Sequence, residues 1–188
     1  MAKRKTPEDN HTMWLEYGID IAGRQLVLDS DIEEDTASIL LKGLYLMEKD
    51  SLDKPITVNI STTGGACYDG LGIYDALRAS PCQIITVGIG KVMSMGTILM
   101  LAGDVRRAYP NTTFMWHTIT AGGDGKLFEI ETNANESKRI YSKMLDIYGE
   151  RSSEPRSFWI KWLKQEDRYR DTLAAVELGF VHEIIVSL

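Results

Sequence analysis

The sequence predicts an α/β fold made of βαβ units, and three observations carry that expectation. From Arg24 onward, short β-rich runs alternate with helix-spaced apolar patterns, the order expected of strands joined by crossover helices. Residues 83–89 (QIITVGI) form an apolar, β-branched run of the kind buried inside a sheet. Residues 94–102 (SMGTILMLA) are apolar almost throughout, so they read as a short helix that lies in the interior.

The elements follow in chain order. Residues 1–12 (MAKRKTPEDNHT) are charged, polar and interrupted by proline, so residues 1–16 are expected to form a flexible N-terminal arm. Residues 17–188 are expected to form a single domain. Residues 25–28 read as a short strand. Ser30 and Glu33 have the spacing of a capping box, and Ala37, Leu40, Leu41, Leu44 and Met47 then recur at helical spacing, so one face of that helix is core. A strand at 55–60 (PITVNI) leads into the turn STTGG, a helix over 68–78 and the strand at 83–89. Such buried strands joined by helices need right-handed crossovers.

A further strand ends in TTFMW at Trp116, and the glycine-rich loop ITAGGDGK follows. Residues 127–149 then read as one helix, roughly 35 Å long at 1.5 Å per residue, more than a domain of this size needs for its own core. It is expected to project as a handle over about residues 118–150. Ile140, Met144, Ile147 and Tyr148 make one apolar stripe near its end, whereas its start (ETNANES) is polar. The protruding part reads equally well as an assembly element or as a solvated surface helix.

Bulk composition narrows the function classes. A chain of 188 residues with 44% hydrophobic content can bury its own core, and no Pro/Gly/Ser-rich linker divides it. A formal net charge of -6 argues against a nucleic-acid-binding surface, the local pair Arg106 and Arg107 being the one candidate basic patch. No apolar run approaches membrane-spanning length and no apolar core follows the basic start, so the expected location is cytoplasmic, with no membrane partner. Cys67 and Cys82 have neither metal-knuckle nor redox-pair spacing and read as buried free thiols. With no His/Cys/Asp cluster at ligand spacing, no metal or cofactor is called for.

A few residues could carry chemistry. Ser94 stands where a glycine-containing strand end meets an apolar helix, and the unpaired amides of a first helical turn favour negative charge. By itself, a serine there is more often a plain N-cap. Its surroundings, Val92-Met93-Ser94-Met95-Gly96, lack the first glycine of the G-x-S-x-G elbow, which gives no support to an α/β-hydrolase. Gly64 and Gly65 end the PITVNI strand and let backbone approach a ligand closely, although a tight turn needs the same pair. Of the three histidines, His11 lies in the arm and His182 near the end of the chain. His117 closes an apolar strand and is the best-placed base. Asp167, within KQEDRYRD, reads from composition as part of a solvated turn.

Taken together, these segments resemble the Clp protease proteolytic subunit over nearly the whole chain, from about Tyr17 to Ile185. Gly64-Gly65 with Gly72-Ile73-Tyr74-Asp75 is similar to that family's glycine-rich substrate strand and following helix. Ser94-Met95-Gly96, running into Leu99 and Ala102-Gly103, is similar to its nucleophile segment. Phe114-Met115-Trp116-His117 resembles its histidine strand, and Asp167-Arg168-Tyr169 with residues 175–181 (AVELGFV) resembles its aspartate loop and C-terminal region. The order Ser, His, Asp also differs from the orders in α/β-hydrolases, chymotrypsin-type and subtilisin-type enzymes.

The resemblance implies a ClpP/crotonase-like superhelix of βαβ units, a globular head with a projecting handle. It implies Ser94 as nucleophile, His117 as general base, Asp167 as the group orienting the imidazole, and the amides of Gly65 and Met95 as the oxyanion site, with Gly64 in the substrate-binding strand. Polypeptide substrates and two stacked heptameric rings enclosing a chamber are implied likewise, as is an ATP-driven AAA+ unfoldase partner. This chain departs from the pattern at Thr62-Thr63, where the family usually has Ser-Pro. It departs again at Thr57 and Asn59, where docking tyrosines are expected, at Arg107 near an expected aromatic, and at Glu166 in place of an inter-ring arginine. Those docking positions predict weak, altered or absent unfoldase binding. Two other readings stand beside the peptidase: a catalytically silent structural or regulatory paralogue, and a crotonase-type acyl-CoA enzyme.

Overall fold

The computed structural model describes residues 7–120, 122, 124–164 and 166–186. Among them, eight strands form one mixed, mostly parallel sheet, flanked by seven helices. Strand β1 (Ile19–Asp20) pairs antiparallel with β2 (Gln25–Leu28), and β2, β3 (Ile56–Thr62), β4 (Ile84–Met93) and β5 (Val105–Ala108) then run parallel in that order. The short β8 (Glu183–Ile184) adds parallel to β5 at one edge. Helices α2 (Glu34–Asp50), α3 (Cys67–Ala79) and α4 (Met95–Met100) form the crossovers, as the alternating sequence pattern requires.

Strand β4 decides where the site lies. Its first half pairs with β5 over Ile85–Gly88, and its second half leaves β5 to pair with β6 (Thr113–Trp116) over Lys91–Met93. Between Ile60 and Thr62 on β3, the partner position on β4 advances from Gly88 to Val92, so β4 carries extra residues. Gly90 takes up this irregularity at φ +65°, a conformation that costs glycine little. The bend turns the end of β4 onto β6, and β7 (Arg168–Arg170) extends this small lobe antiparallel to β6.

Helix α4 is the interior helix that its apolar sequence predicts, with every residue from Met95 to Met100 buried. It is shorter than the 94–102 run, because Leu101 already closes its C-terminus. Helix α5 (Leu127–Arg151) is the long rod expected, with Ile140, Met144, Leu145 and Tyr148 buried and Leu127, Phe128 and Ile130 exposed at its start. Beneath β6 its C-terminal part joins α6 (Arg156–Trp162) and Phe180 in an aromatic cluster. Trp116 lies 5.0 Å from Phe180 and 5.7 Å from Trp162, centroid to centroid, in edge-on contacts. Helix α7 (Thr172–Glu177) follows β7 and is capped by the Asp171 carboxylate, which accepts from the Ala174 amide at 2.9 Å.

Three local expectations differ from the structure. The Ser30–Glu33 capping box does not form. Ile32 is instead bridged to Gly65, its amide donating to Gly64 O at 2.7 Å and its carbonyl accepting from Ala66 N at 2.8 Å, so α2 starts only after Glu33. Helix α1 (Pro7–Tyr17) occupies most of the segment read as an arm, with Met13 packed against the core, while residues 1–6 lie outside the described residues. Arg106 and Arg107 make no basic patch. Arg106 is buried and donates to Arg151 O at 2.6 Å and to His182, whereas Arg107 pairs with Glu183 at 2.7 Å.

Candidate active site

Four chain segments meet at the bend of β4. The β4–α4 junction carries Ser94, the end of β6 carries His117, the residue before β7 is Asp167, and the β3–α3 turn supplies Gly64 and Gly65. The register explains the convergence. Ser94 N donates to Met115 O at 2.8 Å, tying the end of β4 to β6, and Trp116 pairs with Arg168, which sets the next residues, His117 and Asp167, side by side.

Ser94 stands at the N-cap position of α4, yet its side chain makes no capping bond. Its hydroxyl faces His117 instead, with Oγ 2.7 Å from Nε2, which overturns the plain N-cap reading. The backbone of Ser94 is strained, at φ +51° and ψ -121°. Conformations of this kind cost on the order of 1–3 kcal/mol for a residue with a side chain and persist only where surrounding bonds hold them. The turn lifts the hydroxyl off the helix axis and leaves the Met95 amide, at the first helical position, without an intrahelical acceptor.

The paired glycines are required sterically. A Cβ on Gly64, at φ +108°, would lie 2.7 Å from Ser94 Cβ and 3.1 Å from Met95 N. One on Gly65, at φ +144°, would stand 2.2 Å from Ile32 O. The bridge to Ile32 uses the Gly64 carbonyl and the Ala66 amide, so the Gly65 N–H between them takes no part in it. Thr62, in the altered pair before the glycines, is buried and orders this turn: its hydroxyl donates to Ser30 O at 2.7 Å and accepts from Gly64 N at 3.1 Å. Thr63 places its hydroxyl against the Asp31 carboxylate.

Asp167 is held more loosely. Its Oδ1 lies 4.0 Å from His117 Nδ1, beyond hydrogen-bond range, and its side chain is 61% exposed. The strand behind it is fastened to α6: Arg168 Nε donates to Trp162 O at 2.8 Å, and the Arg168 and Arg170 guanidinium groups sit 5.6 and 5.4 Å from the Trp162 ring centroid. Glu166 pairs with Arg168 within the same chain.

A cavity of about 260 Å³ opens beside Ser94 and His117, with Cys67, Met115, Ile119 and Met144 among its walls. Thr63 and Thr120 add hydroxyls to these apolar and sulfur-bearing walls. Sequence reading missed these wall residues, because they come from three segments whose meeting has no local signal. Cys67 is half-buried at this cavity, not hidden in the core as expected, and burial raises its thiol pKa, which keeps it protonated beside Ser94. A larger cavity, about 370 Å³ between α1, β2 and α2, shares no lining residue with this one and holds no comparable set of chemical groups.

The sequence model of the family described as Clp protease matches residues 14–187, which include every residue of this site. The chain belongs to the Clp protease family. It is also similar to the ATP-dependent Clp protease proteolytic subunit of Deinococcus radiodurans, 28% identical over 164 residues, covering 86% of this chain and 80% of that relative. Family membership accords with the mixed α/β sheet described above and with the order of its segments. Among the described residues, no helix is long and apolar enough to cross a membrane.

Proposed function

We propose that this chain is a serine endopeptidase that hydrolyses peptide bonds through Ser94, His117 and Asp167. The observation that carries the reading is the 2.7 Å approach of Ser94 Oγ to His117 Nε2 at a strained strand-to-helix turn. His117 Nε2 accepts the hydroxyl proton while Oγ attacks the scissile carbonyl carbon. The amides of Gly65 and Met95 receive the oxyanion, and His117 returns the proton to the departing amine, leaving an acyl-enzyme. Water, deprotonated by the same imidazole, then releases the peptide acid and regenerates Ser94. Asp167 fixes the tautomer with the proton on Nδ1 and stabilises the imidazolium, and to accept that N–H it must move in by about 1 Å.

The test is a serine-directed fluorophosphonate applied to the native full chain, read by mass spectrometry. Modification at Ser94, absent in Ser94→Ala, is expected; an unmodified wild-type protein overturns the reading. The acyl-CoA reading leaves the serine–histidine pair without a task, and a CoA-thioester binding assay is expected to be negative.

Stacked heptameric rings enclosing a chamber, with polypeptides as substrates, complete the proposal. Leu127 is 72% and Phe128 61% exposed at the start of α5, where a neighbouring protomer would cover them. Replacing both with serine is expected to lower the particle mass seen by native mass spectrometry, and an unchanged mass would count against this contact. Docking to an unfoldase is proposed to be weak or altered. Asn59 bonds to Gln25 at 3.2 Å and Arg107 to Glu183, which makes a polar face where an apolar anchor loop would need a greasy one. Micromolar co-purification with an AAA+ unfoldase would contradict this.

A further inference from the structure

Helix α5 reaches the nucleophile turn through two buried hydroxyls. Tyr148 Oη lies 2.7 Å from Thr97 Oγ1, and Thr97 Oγ1 donates to the Ser94 carbonyl at 2.7 Å. A hydroxyl has a single proton, and Thr97 directs its own to Ser94 O, so Tyr148 is the donor to Thr97. Thr97 is 0% and Tyr148 1% exposed. Desolvation pushes the Tyr148 phenol well above its ordinary pKa, so the donor keeps its proton.

The Ser94 carbonyl already accepts the Thr97 amide at 2.9 Å, and the hydroxyl is a second donor to the same oxygen. A threonine bonding back to a carbonyl three or four residues earlier is common in helices. Its placement here is what matters, because that carbonyl belongs to a residue at φ +51° whose conformation must be held from outside. A trans peptide is planar, so the Ser94 C=O and the Met95 N–H point in opposite directions. Holding the carbonyl toward Thr97 turns the amide away from the core, toward the side where Gly64 leaves room beside Met95 N.

We infer that Thr97 and Tyr148 are positioning residues whose hydroxyl relay locks the plane of the Ser94–Met95 peptide and aims the Met95 amide at the oxyanion. The inference rests on the peptidase reading above. Neither side chain touches substrate. Both act through one amide donor, so their loss changes the rate of the chemical step and leaves ground-state binding in place.

The test compares wild type with Thr97→Val, Tyr148→Phe, the double variant and Thr97→Ser, all as full chains. The readouts are kcat and KM for a peptide substrate and the rate of fluorophosphonate labelling at Ser94. Loss of an oxyanion donor costs about 10²–10³-fold, so a misaligned one should lower kcat about tenfold in Thr97→Val and about threefold in Tyr148→Phe, with KM unchanged. The double variant should be no slower than Thr97→Val, and Thr97→Ser, which keeps the hydroxyl, should recover most of the rate. Wild-type kcat in folded Thr97→Val or Tyr148→Phe, additive losses in the double variant, or a rise in KM alone would overturn the relay. Should Thr97→Val not fold, Tyr148→Phe, which removes one oxygen and keeps the ring, decides by the same criteria. A wild-type protein that never labels at Ser94 overturns the peptidase reading and the relay together, whereas wild-type labelling with indifferent variants overturns the relay alone.

Discussion

The two neighbours of His117 are held in opposite ways. Ser94 is anchored from the interior: its amide is bonded to β6, its carbonyl to Thr97, and its following helix is buried throughout. Asp167 precedes an edge strand, stands 61% exposed, and is kept in place by surface arginines on a tryptophan ring. The imidazole therefore meets a rigid partner on one side and an adjustable one on the other. Cores are close-packed and resist displacement, while elements with few buried contacts open at low cost, so the serine side is fixed by folding alone and the aspartate side is open to adjustment.

The contrast can be tested in descending order of effect. Ser94→Ala should abolish peptide hydrolysis, by at least about 10³-fold, with the thermal midpoint little changed, because alanine keeps the Cβ and the same backbone conformation. Gly65→Ala should lose both activity and stability, because its Cβ meets the Ile32 carbonyl at 2.2 Å; a cost of about 3 kcal/mol in denaturant unfolding is expected. Asp167→Asn should lower kcat by about 10²-fold, less than the roughly 10⁴-fold seen where the triad aspartate is buried, because the exposed carboxylate stands 4.0 Å from the imidazole. A loss as large as that for Ser94→Ala would show the aspartate to be as firmly seated as the serine and would break the comparison. Trp162→Leu should remove the ring under the Arg168 and Arg170 guanidinium groups, leaving Arg168 its bond to the residue 162 carbonyl, and reduce kcat severalfold while leaving fluorophosphonate labelling of Ser94 in place.

The smallest effect concerns acid. His182, just before edge strand β8, has its pKa lowered by desolvation and then by the Arg106 and Arg151 charges. Its folded-state pKa lies below the unfolded value, so the unfolded chain binds more protons and stability falls as pH drops through about 6.5. Thermal midpoints measured between pH 7.5 and 5 should decline, and His182→Gln should flatten part of that slope. No change in slope would remove this edge from the pH-sensitive elements.

Legibility in the sequence follows the same division. The strands read at 55–60 and 83–89 are legible because apolar residues fill their inward positions, and the interior helix α4 because all of its residues are buried. Strand β5 is hidden because Arg106 occupies an inward position, paired there with His182 and the Arg151 carbonyl, which breaks the pattern that reading depends on. Strands β1, β7 and β8 have two or three residues each, too few for any periodicity. Ser94, His117 and Asp167 are named from sequence only through the family resemblance, since each has a commoner structural reading. Thr97 and Tyr148, 51 positions apart, carry no local sign of meeting.

The aromatic cluster beneath β6 has an optical consequence. Of the four tryptophans, Trp116 directly precedes His117 and packs with Trp159 and Trp162, while Trp14 sits exposed on α1. Emission from the sheltered three should lie to the blue of the fourth and respond when the strand bearing the imidazole shifts. The molecule thus contains its own fluorescent gauge of the candidate site, readable in ordinary solution without attaching a dye.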